Sequence, residues 1–154
     1  MLTEQEIQEI RHHAAMYPRA RAAASEALKL VQRRTRWIRD EDLSQIASLL
    51  DMSTDELDGV ATFYNLVFRK PVGRHVILLC DSVSCWITGQ SDVRTMLQKK
   101  LGVDFGQTTA DDRFTLLPTV CLGACDRAPA MMIDEDLHGP LDEAEVDRAL
   151  AQYS

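Results

Sequence analysis

The chain has 154 residues, 45% of them hydrophobic and 27% charged, and carries a formal net charge of −7. That length suits one ordinary domain or two small ones, and the composition is globular rather than disordered. The acidity argues against a general nucleic-acid binder, no apolar run approaches a membrane span, and the polar, acidic start MLTEQEIQEI does not read as a signal peptide.

A soluble, intracellular protein is therefore expected. In such a compartment thiols stay reduced, so four cysteines are expected as ligands or catalysts rather than as disulfides.

The first seventy residues read as helices. Thr3 and Glu6 form a capping box ahead of Ile7, Ile10 and Ala14 on one face, and Pro18 breaks that helix. Residues 20–36 are rich in strong helix formers, with Leu28 and Val31 marking the inward stripe. Asp40 is placed to cap a third helix, whose Leu43, Ile46, Ala47 and Leu50 follow the i, i+3, i+4, i+7 spacing. Ser53 and Glu56 make another capping box, and Leu57, Val60, Ala61 and Tyr64 repeat the spacing. Four short helices with brief loops predict a small bundle.

The stretch DLSQIASLLDMSTDELDGVATFY has a superficial helix-turn-helix form. Its second helix opens with Asp55, Glu56 and Asp58, which phosphates would repel, so two packed bundle helices are the better reading.

The pattern changes at Pro71-Val72-Gly73. HVILLC, ending at Cys80, reads as a buried strand. Residues 89–101 regain helical period through Val93, Met96, Leu97 and Leu101, and Gly102 follows as a stop signal. RFTLLP (113–118) and AMMID (130–134) read as further strands. Pro140 precedes a last helix with Val146, Ala149, Leu150 and Tyr153 on one face. The prediction is an α+β chain: a helical domain over 1–72, then a small mixed sheet covered by helices over 73–154. Residues 1–72 carry 10 Lys/Arg and 11 Asp/Glu, a net of −1, and residues 73–154 carry 7 and 13, a net of −6.

All four cysteines lie in that acidic second half, as Cys80-x4-Cys85 and Cys121-x3-Cys125. Each pair follows a predicted strand, so both can emerge at one end of one sheet. Four converging thiolates repel one another unless a cation offsets the charge. Zinc sites more often use tight C-x2-C knuckles, whereas C-x4-C opens a plant-type [2Fe–2S] spacing and its wider loop can wrap two irons. Spacing favours iron–sulfur and leaves zinc open. Four cysteines flanked by Asp81, Ser82, Ser84, Thr119 and Asp126 do not look like core filler, and a dithiol oxidoreductase lacks its C-x-x-C. Gly123 is suited to a positive-φ turn that aims amide N–H groups at the site.

DDRFTLLPTVCLGACDRAP resembles the signature of the 24-kDa-type subunit of NADH:quinone oxidoreductase, respiratory complex I, called the E subunit in bacteria. The matching positions are Asp111, Phe114, Thr115, Cys121, Leu122, Gly123, Cys125, Ala128 and Pro129; GVATFYNLVFRKPVGRHVILLCDSVSC and MMIDEDLH extend the likeness over nearly the whole chain. The resemblance implies a thioredoxin-like ferredoxin domain behind an N-terminal helical domain. It implies one [2Fe–2S] cluster on Cys80, Cys85, Cys121 and Cys125. It also implies a flavoprotein partner carrying FMN and the NADH site, other peripheral-arm subunits beyond it, and a place on the cytoplasmic side of a membrane-associated complex without insertion. Soluble NAD-linked hydrogenases and formate dehydrogenases hold a similar module and are the alternative host.

The expected chemistry is one-electron transfer, with no catalytic acid, base or nucleophile in this chain. Ligand type, hydrogen bonds to sulfur, burial and nearby charge would set the potential. Asp81 and Asp126, each adjacent to a ligand, would oppose reduction. The basic run RRTRWIR (33–39) is a solvated helix end or a dock for an acidic partner, and the four histidines show no ligand spacing.

Overall fold

The capping boxes open two of the helices. Thr3 Oγ1 accepts the Glu6 amide N–H at 3.2 Å, and the Glu6 carboxylate accepts the Thr3 N–H at 2.7 Å. This satisfies two donors that a helix start would otherwise leave unpaired. It begins α1 (Glu4–Ala15), which ends ahead of Pro18. The computed structural model describes residues 1–153, and in it the predicted helix over 20–36 tightens to a 3-10 turn at Ala20–Ala23 before α2 (Ala24–Thr35). α3 spans Asp40–Leu49. α4 (Thr54–Phe63) starts on the second box, with Ser53 Oγ accepting the Glu56 N–H at 3.1 Å and the Glu56 carboxylate accepting the Ser53 N–H at 2.9 Å.

Two details differ from the sequence reading. Asp40 is the first residue of α3 rather than its cap, which is Arg39. The Asp40 carboxylate instead accepts a hydrogen bond from Arg69 Nη2 at 2.7 Å, and the same guanidinium reaches Asp58 at 2.6 Å. A charge-assisted bond of this kind outcompetes a neutral amide for the carboxylate. Tyr64 does not join the buried stripe of α4, because the helix ends at Phe63 and the backbone turns extended. The other predicted stripes do meet: Ile10, Leu28, Val31, Leu43, Ile46, Leu50, Leu57 and Ala61 are buried in one cluster.

The chain divides into two compact units, Met1–Pro71 and a second that begins at Val72. The second unit is a five-stranded sheet in the order β2-β3-β1-β4-β5. Its strands are β1 (His75–Cys80), β2 (Gln107–Thr108), β3 (Phe114–Thr119), β4 (Met131–Ile133) and β5 (Asp136–His138). β1 is central, parallel to β3 and antiparallel to β4. A strand covered on both faces reads as a continuous apolar run, which is what VILLC is. Between β1 and β2 lie α5 (Val83–Ile87) and α6 (Gln90–Leu101), the latter closed by Gly102 at φ 69. α7 (Glu143–Ala151) is capped by Asp142, whose carboxylate accepts the Glu145 N–H at 2.7 Å. Ile77, Leu79, Val93, Leu97, Phe114, Leu116, Met131, Ile133, Val146 and Ala149 form the core.

The sequence reading does not anticipate α5, β2 or β5. His138, read as part of a turn-like stretch, is the buried last residue of β5. Tyr153 lies beyond the end of α7, and its hydroxyl donates to Asp136 at 2.7 Å.

Candidate metal centre

Parallel pairing of β1 and β3 carries both cysteine loops to the same edge of the sheet. Cys80, the last residue of β1, lies opposite Thr119, two residues ahead of Cys121. The Asp81 N–H donates to the Thr119 carbonyl at 2.8 Å, and the Cys80 N–H donates to the Ala130 carbonyl at 3.1 Å. The loop leaving β1 is thus tied to both ends of the stretch that holds Cys121 and Cys125.

The sulfurs come as two pairs of different depth. Cys80 and Cys85 are buried, each only 2% exposed, and pack with Ala124, Ala130, Leu122 and Ala128. Cys85 sits on α5, within hydrogen-bonding contact of Cys80 and within electrostatic reach of Cys125. Cys121 and Cys125 are exposed, with their Sγ atoms 3.6 Å apart. Cys125 opens a 3-10 turn, Cys125–Arg127. The structure thus brings Cys85 within range of both Cys80 and Cys125, with Cys121 against Cys125.

Their proton affinities differ accordingly. Burial pushes the Cys85 thiol up to about 11, with the Cys80 contact adding to it, although an N–H from Ala130 works against the rise. Cys121 is held below the ordinary thiol value, first by the Gly123 N–H on its sulfur at 3.4 Å, then by Cys125 and the Ser82 hydroxyl. A thiol such as Cys85 that resists ionisation in an apolar wall becomes a good ligand once a cation replaces its proton.

Of Asp81, Ser82, Ser84, Gly123 and Asp126, Ser82 and Gly123 contact a sulfur. Ser82 is the N-cap of α5 but makes no capping bond; its hydroxyl reaches Cys121 instead. Gly123 adopts φ +77, which allows its N–H to point back at Cys121. Asp81 contributes its backbone N–H to Thr119 and is exposed. The Ser84 carbonyl accepts from the hydroxyl of Thr88, which follows α5, and Asp126 is 81% exposed with Arg127 at 4.0 Å. Sequence reasoning misses the Ala130 amide on Cys85, because a backbone donor from beyond Pro129 leaves no mark in residue spacing.

The exposed pair fits a metal. Two thiolates on one tetrahedral metal with bonds of about 2.3 Å lie about 3.8 Å apart, close to the 3.6 Å seen for Cys121 and Cys125. Among the described residues, no three Cys, His, Asp or Glu side chains close on one point as a lone ion requires. Two separate pairs suit two metals joined by bridging sulfide.

A small mixed sheet that delivers two cysteine pairs from parallel strand ends defines an iron–sulfur protein of the electron-carrier class. The chain belongs to the thioredoxin-like [2Fe–2S] ferredoxin family, whose model matches residues 10–154, and its cofactor is a [2Fe–2S] cluster.

The chain is 48% identical over 153 residues to the E subunit of NADH-quinone oxidoreductase from Pseudomonas aeruginosa, covering 99% of this chain and 92% of that protein. It is 48% identical over 152 residues to the protein of the same name from Escherichia coli K12, again covering 99% and 92%. Among solved structures, an air-oxidized NAD+-reducing [NiFe]-hydrogenase aligns with a TM-score of 0.73 at 25% identity, over 84% of this chain and 22% of that one.

Proposed function

We propose that this chain is the [2Fe–2S] electron-transfer subunit of an NADH:quinone oxidoreductase. The observation that carries the reading is end-to-end likeness, at 48% identity, to the E subunits of two such enzymes. The hydrogenase alternative is weaker, with 25% identity to a chain of which this one spans 22%. A zinc scaffold or a helix-turn-helix module is not favoured, since the family model covers both units of the chain.

Cys80 and Cys85 would hold one iron, and Cys121 and Cys125 the other. When bound, the cluster supplies one-electron transfer between an all-ferric and a mixed-valence form. The chain's own part is to wall off the inner pair with Ala124 and Ala130 and to direct N–H and O–H donors at the sulfurs. The helical segment 1–72 and the cluster-bearing segment 73–154 act as two domains.

The chain works in a complex with other subunits. The nearest of them is a flavoprotein that carries FMN and oxidises NADH. Val83, Trp86, Ile87 and Val120 support a partner on the cysteine face, since all four lie in or beside the cysteine loops and are 64% to 74% exposed. Apolar side chains left this open are most stable under another protein surface. The proposed place is peripheral, on the cytoplasmic side of the complex; among the described residues no helix is long and apolar enough to cross a membrane.

Anaerobic purification tests the reading. Equal amounts of iron and acid-labile sulfide, a spin-one-half EPR signal after dithionite reduction and co-purification with a flavoprotein are expected. A colourless zinc protein would overturn it.

A further inference from the structure

The two sulfur pairs differ in surroundings, and that difference decides where an added electron is most stable. We infer that Cys121 and Cys125 hold the iron that takes the electron, and that Ser82 and the Gly123 amide are the groups that bias the cluster toward it. The inference rests on the ligand set proposed above.

The electron comes from the flavin of the proposed partner. One ferric iron becomes ferrous, no bond breaks, and one negative charge is added. That charge is least costly where polar groups and water can respond to it. The inner pair cannot offer this, since Cys80 and Cys85 are buried against Ala124, Ala130, Leu122 and Ala128. The outer pair is exposed.

Donors to sulfur point the same way. Cys121 receives the Gly123 N–H at 3.4 Å and the Ser82 hydroxyl. In the inner pair, Cys85 receives the Ala130 N–H. Hydrogen bonds to a thiolate strengthen as its metal gains charge, so the Gly123 and Ser82 donors favour reduction at the exposed pair. Asp126 opposes this from beside Cys125, but it is 81% exposed and has Arg127 at 4.0 Å, so water and that cation screen it.

The test is proton NMR of the reduced, cluster-loaded full chain with the cysteine β-carbons labelled and assigned. Ligands of the ferrous iron show small hyperfine shifts that grow on warming, and ligands of the ferric iron show large shifts that shrink. The expected result places Cys121 and Cys125 in the first set and Cys80 and Cys85 in the second. The reverse assignment, or four alike, overturns the inference. A cysteine with no hyperfine shift would instead overturn the ligand set, a separate and distinguishable failure that takes this inference with it.

A redox titration of Ser82→Ala adds a second readout. The potential should fall, and the fall should be reversed in Ser82→Thr, which restores the hydroxyl. An unchanged potential in Ser82→Ala, with the spectrum intact, would remove Ser82 from the bias.

Discussion

Gly139→Ala tests how tightly the cysteine loop is braced from behind. A Cβ built at Gly139 falls well inside 3.0 Å of the Arg127 carbonyl oxygen and 3.1 Å from that of Pro129. Both obstacles are backbone, so no side chain can swing aside. Ordinary contact begins near 3.4 Å, which requires the 127–129 segment to move by about 1 Å. That segment is held by the Leu141 N–H on the Pro129 carbonyl at 2.9 Å and the Arg127 N–H on the Ala124 carbonyl at 3.0 Å. Overpacking against fixed backbone costs about 1–3 kcal/mol, and a broken hydrogen bond about 1 kcal/mol more. A loss of about 2–4 kcal/mol is expected in urea unfolding of the full chain, followed by circular dichroism. Because the Cys125–Arg127 turn runs straight into the displaced segment, visible absorbance of the cluster should fall as well. Gly59→Ala is the control. It lies within α4 with nothing within 4 Å of the added carbon, so helix propensity alone acts and should stabilise by about 0.5–1 kcal/mol. Equal midpoints for Gly139→Ala and the parent would refute the bracing argument.

Three further outcomes are expected. Burial would raise the Glu6 carboxyl, but two bonds from Arg34, at 2.8 and 3.1 Å, and the Thr3 donors outweigh it and hold the group below its ordinary value. A lowered folded-state value stabilises above the unfolded one and is lost as pH falls through the folded one. Glu6→Gln should therefore cost about 1 kcal/mol at pH 7 by thermal melts, and the difference should vanish below the usual carboxylate range. Stripping the cluster with acid and chelator removes a cross-link over the 35 residues between Cys85 and Cys121, for which the chain-entropy expression gives about 4 kcal/mol. Calorimetry of the two forms checks this. Asp126→Asn should raise the reduction potential by no more than about 20 mV in low salt, the worth of a solvent-screened unit charge several ångströms away, and by less in high salt, as read by EPR redox titration.

The parts of the fold legible in the sequence are those where one local rule acts over enough residues. Thr3 with Glu6 and Ser53 with Glu56 satisfy helix-start donors within four residues, so both boxes can be read directly. HVILLC needs no partner to announce a buried strand. β2 has two residues and β5 three, too few for any period, and they exist because β3 and β4 offer edges to pair with. Asp40 reads as a cap because its competitor, Arg69, lies 29 residues away. α5 is hidden for a related reason: five residues carry little helical preference, and the segment is set by the ties that bind Asp81 to Thr119 and Cys80 to Ala130.

At the site, residue types and spacing say that thiols come in pairs, but not which sulfur is wet. Depth is decided by what each cysteine is attached to. Cys80 ends the central strand, and Cys85 is turned inward by α5 beneath Ala130, so neither can escape the apolar wall. Cys121 and Cys125 follow a strand that has already ended at Thr119, on a loop whose Gly123 turns at φ +77 and leaves both sulfurs outside. The same register that pairs Cys80 with Thr119 therefore makes one pair deep and the other shallow. A two-iron cluster held between them would have chemically unlike ends even though all four ligands are cysteine. That asymmetry would let one module accept charge at its outer face while its inner face stays anchored in the sheet.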